Sequence, residues 1–454
     1  MTKPVVVVGA GITGLATAWF LRTQEPGREV VVVDADERAG GKIRTEAFDG
    51  GTVELGPDAF IARVPEGVEL CKAVGLDDLV APSAGKAFLW TRGRVRPLPE
   101  GLVLGLPTEL VAVARSGILS PRGVARAGLD VVLPRHHANG DRSVGSLVRA
   151  RFGDEVHERL VDPLLGGIHA GDTDALSVDA TAPQLASAAR AHRSLLLGLR
   201  ASAPASPSGS PVFLTPRAGL GTLVDRLTDG LDLRLGTAVS SLERTNDDEW
   251  RVSLASGDTL DASAVVLTTP SFVTADLVRS LSPDVADRLR AIEYASVALV
   301  VMAYARDAVP APLGGSGFLV PRGDGRLMTA CSWASAKWPH WQQNDHVWLR
   351  VSAGKSGDDR AMQLDDVQLV QQLHNELTEA LGFTDGPLLT RVARWPRSFP
   401  QYTVGHLDRV AAIDSGLARS APGVFVAGAA YRGVGIPACI AQAKAAAAKA
   451  RQKG

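Results

Sequence analysis

Four consecutive valines, Val5–Val8, run directly into Gly9-Ala10-Gly11-Ile12-Thr13-Gly14. A short β-branched run without polar alternation suits a strand buried on both faces, as in a parallel sheet. The G-x-G-x-x-G spacing then asks three different things of one turn. Gly9 permits the tight reversal, Gly11 lets the backbone approach a diphosphate, and Gly14 lets the next helix pack on the strand. Leu15–Leu21 continues as that helix, whose N-terminus offers free N–H groups and a positive dipole end. Glu29–Val33 reads as a second buried strand. Asp34 closes it 20 residues past Gly14, where a carboxylate accepts hydrogen bonds from a ribose, and Ala35 follows. A purely structural glycine turn would not call for the acid at this spacing. The order strand, turn, helix, strand, acid predicts a dinucleotide-binding, doubly wound α/β unit.

The rest of the chain divides around that unit. With 454 residues, two or more domains are expected. Leu231–Leu235 and Thr237–Leu242 read as strands of the opening sheet, as do Ala264–Thr268 and Gly423–Ala427. Trp250–Leu254 and Thr259–Leu260 predict a hairpin across Ser256-Gly257-Asp258. Ala438–Arg451 is alanine-rich and helical, Pro65 to about Pro211 mostly helical, and Phe272 to Arg394 mixed. Ala201–Pro211 reads as a flexible loop. We therefore expect a discontinuous cofactor domain, residues 1–64, 212–271 and 395–454. A mixed α+β substrate domain, 65–211 and 272–394, is inserted into it, with a helical, membrane-facing part near 98–190.

Two further glycine clusters narrow the cofactor. Arg38-Ala39-Gly40-Gly41-Lys42-Ile43-Arg44-Thr45 places paired glycines and flanking cations just after Asp34. It resembles the second glycine motif of the amine-oxidase-like FAD superfamily. Val424–Gly428 followed by Tyr431-Arg432-Gly433-Val434-Gly435-Ile436-Pro437 is a strand, a glycine-rich turn and a helix start, and resembles that superfamily's C-terminal FAD motif. FAD is the cofactor expected.

A narrower resemblance rests on five blocks. Glu54-Leu55-Gly56-Pro57-Asp58-Ala59-Phe60 looks like the segment that passes the flavin ring in the oxygen-dependent coproporphyrinogen III and protoporphyrinogen IX oxidases. Gly166–Asp172, Gly317–Pro321, Ser335–Pro339 and Gln401–His406 resemble further signatures of that family, in its order and over nearly the whole chain. The bacterial coproporphyrinogen type is the better match. The resemblance implies hydride transfer from a porphyrinogen to flavin N5, followed by reoxidation by molecular oxygen to give hydrogen peroxide. It also implies flavin contacts for Gly41, Lys42, Arg44, Gly56, Pro57, Asp58, Ala59, Val239, Trp395, Gly428, Gly435, Ile436 and Pro437. Trp395 reads equally as core. Some members carry arginine where this chain has Asp58, so no propionate role is carried over to that position. Arg63, Lys86 and Lys337 are the candidate cations for the substrate's carboxylates, against the alternative of solvated surface charge. No catalytic acid or base stands out, which suits a reaction whose hard step belongs to the cofactor.

Several classes are set aside. A formal net charge of -1 gives no basic surface for nucleic acid. No histidine spacing suggests a metal site, and His136-His137 reads as a solvated loop. The three cysteines, Cys71, Cys331 and Cys439, read as small buried hydrophobes in a reducing, cytoplasmic setting. No secretory leader or spanning helix is expected. The Leu98–Leu133 stretch, broken by prolines and charges, is expected to make at most peripheral membrane contact. Two other readings stay open: a related flavin enzyme acting on amines or polyenes, and a non-catalytic flavoprotein.

Overall fold

The structure, a computed structural model, describes residues 3–83, 85–134, 140–202, 211–245, 247, 249–310, 314–342 and 345–453. The His136-His137 pair and most of the expected loop at 201–211 lie outside the described residues.

Val5–Val8 is the central strand of a five-stranded parallel sheet. Its neighbours are Val30–Val33 on one side and Ala264–Leu267 on the other. Asp232–Arg234 and Val424–Val426 form the edges. In chain order the strands run 3-2-1-4-5, the doubly wound arrangement expected. The opening helix, Ile12–Gln24, and the terminal helix, Ile436–Lys453, cover one face together, and Ala16, Ala18, Ile440, Ala443 and Ala447 are buried there. Alanine at four of these five positions lets two helices and a sheet approach closely.

Three expectations need correction. Residues 237–242 do not extend the parallel sheet: Val239–Arg244 pairs instead with Trp250–Leu254 and Thr259–Ala262 in a separate three-stranded antiparallel sheet. The expected hairpin is the second pair of that sheet. The backbone turns sharply at Gly236 (φ +65°), so the polypeptide leaves the parallel sheet there. Second, the stretch from 65 to 211 is less helical than read: Ala87–Thr91 and Arg94–Pro97 are strands of a seven-stranded mixed sheet. Third, that sheet contains Leu389–Pro400, so the expected boundary at 394/395 falls inside a strand, and Trp395 belongs to this sheet.

The seven-stranded sheet runs Leu389–Pro400, Tyr294–Ala305, His346–Ala353, Met328–Trp333, Gly317–Leu319, Ala87–Thr91, Arg94–Pro97. Helices between Leu110 and Ser202 build a separate core around Leu147, Phe152, Leu160 and Leu185. Within them, His157–Gly166 is a π-helix containing Pro163, and it leads into the Gly166–Asp172 block. No helix among the described residues is long and apolar enough to cross a membrane. All three cysteines are free and buried, as expected.

Candidate flavin site

The two N-terminal glycine motifs fold onto one another. Gly40 N donates to Ala10 O at 2.8 Å, and a Cβ on Gly41 would lie 3.1 Å from the Gly11 Cα. Arg38 closes the second loop on itself, donating to Ile43 O at 2.8 Å and Gly41 O at 2.5 Å. Asp34 accepts from Ala10 N at 2.5 Å and from Asp36 N at 2.9 Å. The acid therefore fixes the first glycine turn as well as marking the strand end.

The three glycines of the first motif differ in what requires them. Gly9 has φ +107°, and a Cβ there would lie 2.6 Å from Thr268 Oγ1. A Cβ on Gly14 would lie 1.8 Å from Gly9 O. The fold alone accounts for both. Gly11 has ordinary extended backbone (φ -73°, ψ 177°), and a Cβ there would meet nothing within 4 Å. Nothing inside the protein demands glycine at Gly11, so the room it leaves suits a ligand. The helix behind it begins with no side-chain cap, so its first N–H groups at Ile12 and Thr13 are available to an anion. This donor set fits the diphosphate of a dinucleotide.

The other expected cofactor residues surround this turn to different degrees. Ala35 is exposed at the strand end. Lys42 is solvent-exposed, yet the protein around it desolvates its ammonium and lowers its pKa. Arg44 is paired with Glu46. A Cβ on Gly428, whose φ is +131°, would lie 3.6 Å from Thr13 Oγ1, so the C-terminal turn lies close to the opening helix. Gly435 precedes the last helix and accepts from Cys439 N, while Ile436 and Pro437 are buried at its start. Tyr402 buttresses this turn: its hydroxyl donates to Ala429 O at 2.6 Å and accepts from Gly433 N at 2.8 Å. Its ring stacks on His406 at 4.0 Å, and burial lowers the His406 pKa to about 4. The Gln401–His406 block thus supports the turn. Gln401 also reaches the Gly166–Asp172 block, donating to His169 O at 3.1 Å. Val239 sits half-buried on the separate antiparallel sheet, against the core behind the parallel one.

The segment Leu55–Ala59 connects both regions. A Cβ on Gly56 would lie 1.9 Å from Lys42 O, so this glycine is flush against the second loop. Trp395 Nε1 donates to Leu55 O at 2.7 Å, and Arg350 donates to Gly56 O. Asp58 accepts from Lys337 Nζ at 2.8 Å and Trp338 Nε1 at 2.9 Å, with Arg350 Nη1 at 3.7 Å. Burial works to raise the Asp58 pKa, but Lys337 and Arg350 overcome it and hold the carboxyl well below its ordinary range. Pro57 and Ala59 are half-buried beside it. Four residues earlier, Glu54 accepts, among the described residues, from neutral donors: Leu220 N at 2.7 Å and Thr45 Oγ1 at 2.9 Å. Burial pushes its pKa up to about 7.

Sequence reasoning placed Lys337 among substrate cations and Asp58 beside the cofactor; the structure joins them to each other. Arg63 and Lys86 are exposed, and among the described residues neither makes an ion pair. Arg350, the Trp338 donor and the neutral setting of Glu54 were missed. Arg350 carried a signal, as a lone cation amid the apolar run of His346–Ala353.

Residues 12–450 match the model of the flavin containing amine oxidoreductases. A Bacillus subtilis coproporphyrinogen III oxidase is 37% identical, over 98% of this chain and 97% of that one. The chain belongs to the coproporphyrinogen III oxidase family of flavin-containing amine oxidoreductases. A rice chloroplastic protoporphyrinogen oxidase is 31% identical, over 96% of this oxidase and 85% of its own length. A crystal structure from Exiguobacterium sp. 255-15, assigned as a protoporphyrinogen oxidase, superposes with a TM-score of 0.89 at 32% identity over both full chains. FAD is the cofactor of this oxidase, an oxidoreductase of porphyrinogens.

Proposed function

We propose that this oxidase converts coproporphyrinogen III to coproporphyrin III with molecular oxygen as electron acceptor, releasing hydrogen peroxide. The observation that carries the reading is the full-length likeness to the Bacillus subtilis enzyme of that name. Bound FAD would supply the two-electron acceptor. The protein's own residues bind, orient and desolvate, since aromatisation of the ring supplies driving force.

In this reading Gly9–Gly14 and the helix start hold the diphosphate, and Asp34 with Ala35 meets the ribose. Gly41, Lys42, Arg44, Gly56–Ala59, Gly428 and Gly435–Pro437 line the rest of the cofactor's path. Trp395 acts on it through Leu55, and Val239 from behind the sheet. The cofactor domain comprises 1–64, 212–271 and the chain from the end of the Leu389–Pro400 strand onward; the remainder is the substrate domain. Arg63 and Lys86 serve substrate carboxylates, because no internal partner among the described residues occupies them. The protein is cytoplasmic, with at most peripheral membrane contact; recovery only in a detergent-extracted fraction would contradict this.

Coproporphyrinogen III carries four propionates and protoporphyrinogen IX two. A cation facing a vinyl group gains no ion pair, so at exposed cations such as Arg63 and Lys86 each satisfied pair discriminates by up to about 1 kcal/mol. The test is kcat/KM for both porphyrinogens under one condition, on the native enzyme and on Lys86→Gln and Arg63→Gln. We expect preference for coproporphyrinogen III, reduced by either substitution. The rice relative supports protoporphyrinogen IX as the second reading, and a clear preference for that substrate would select it.

A further inference from the structure

The cluster around Asp58 has features that neither cofactor contact nor substrate charge recognition explains. It sits on a segment held from both sides of the site. Leu55 N donates to Arg44 O at 2.8 Å, and Gly56 lies against Lys42 O, so one edge of the segment is fixed to the second glycine loop. The other edge is held from the seven-stranded sheet and the turn that follows its Met328–Trp333 strand. Trp395 takes the Leu55 carbonyl, Arg350 the Gly56 carbonyl, and Lys337 and Trp338 the Asp58 carboxylate. Lys337, Asp58 and Arg350 side chains are only 17%, 17% and 12% exposed. Two largely enclosed cations share one carboxylate, and among the described residues Arg350 Nε has no partner of its own. Removing the carboxylate would leave two like charges side by side with poor access to water, which is costly.

We propose that Asp58 is a positioning residue: with Lys337, Trp338 and Arg350 it latches the Gly56–Asp58 segment to the seven-stranded sheet and so sets how the second glycine loop meets FAD. Lys337 is thereby withdrawn from substrate carboxylates. The proposal rests on the functional reading above only for its assay of turnover; the flavin part stands apart from the choice of porphyrinogen. The latch spans two regions that are far apart in sequence, so its loss acts on cofactor affinity and on kcat, while substrate charge recognition at Arg63 and Lys86 is untouched.

The experiment titrates apoprotein with FAD and measures kcat and KM for Asp58→Asn, Asp58→Glu, Lys337→Met and the Asp58→Asn/Lys337→Met double variant. Asp58→Asn and Lys337→Met are each expected to weaken FAD binding by about tenfold, the scale of one charge-assisted contact, and to lower kcat with KM nearly unchanged. Asp58→Glu should recover most of the loss. The double variant should be no worse than the worse single, because both break one pair. Native FAD affinity and kcat in Asp58→Asn would overturn the latch. So would a Lys337→Met variant that keeps its FAD but raises KM more for the four-carboxylate porphyrinogen than for the two-carboxylate one. If Asp58→Asn does not fold, Lys337→Gln, which leaves Asp58 held by Arg350 and Trp338, decides by the same FAD titration. A native enzyme that oxidises neither porphyrinogen would break the functional reading, and the FAD titrations would still judge the latch.

Discussion

The glycine turn at residues 9–14 and the segment at 55–58 both belong to the candidate flavin site, yet they are built in opposite ways. The turn uses backbone. Its chemistry comes from N–H groups and from the absence of side chains, and the chain supplies it within one stretch of sequence. The segment uses side chains drawn from far along the chain: Lys337 and Trp338 from the end of the short helix Ala334–Lys337, and Arg350 and Trp395 from two strands of the seven-stranded sheet. A backbone site depends on which positions carry no side chain, whereas a charged latch depends on each of its members.

The largest expected effect separates two glycines three residues apart. Gly14→Ala places a Cβ 1.8 Å from Gly9 O, and backbone cannot yield that much, so the variant should fail to fold. Gly11→Val meets no protein atom at its Cβ, so the apoprotein should melt as the native one does. Its FAD affinity should fall by roughly a hundredfold or more, as for loss of two charge-assisted contacts. Calorimetry of the apoprotein and a flavin titration check both halves. A Gly11→Val protein with native FAD affinity would mean that the turn does not face the diphosphate.

That contrast also explains what the sequence could disclose. The turn, the strand before it and Asp34 were legible because residues near in sequence are near in space and each has a local reason. The strand at 237–242 is misplaced in the sequence reading because a short run of mixed residues reads the same whichever sheet it joins. Lys337 was visible as a cation, but its partner Asp58 stands 279 positions away, and nothing local joins them. Arg350 lay in no recognisable block at all.

A second contrast lies within the segment itself. Glu54 and Asp58 are close in sequence and both are enclosed, but cations surround one and neutral donors the other. The Asp58 carboxyl stays charged; Glu54 has a pKa raised from 4.5 to about 7, first by burial, with Asp58 adding to the rise and Arg350 opposing it. A carboxyl whose folded pKa is raised stabilises the fold below its unfolded pKa and loses that contribution as pH rises through the folded value. The window therefore runs from about pH 4.5 to about 7. Over it, the stability of the native protein relative to Glu54→Gln should decline by roughly 3 kcal/mol. Denaturant unfolding at several pH values gives the difference. A flat difference across that window would mean that Glu54 ionises as freely as in water.

The smallest expected effect tests whether the charge or the number of contacts makes the latch. Trp395 donates one neutral hydrogen bond to Leu55 O and packs against the hydrophobic cluster that contains Val53, Leu55 and Trp338. Trp395→Phe keeps most of that packing and removes the donor. The Leu55 carbonyl then lacks this partner, at a cost of about 1 kcal/mol in unfolding free energy. FAD affinity should hardly change, because Asp58 with its two cations and Arg350 at the next carbonyl still fix the segment. The comparison with Asp58→Asn is the informative one. If Trp395→Phe weakens FAD as much as Asp58→Asn does, every contact on the segment counts alike and the ion pair has no special standing. If it lowers stability and leaves the flavin bound, the carboxylate and its cations hold the segment in register, and the tryptophan contributes packing.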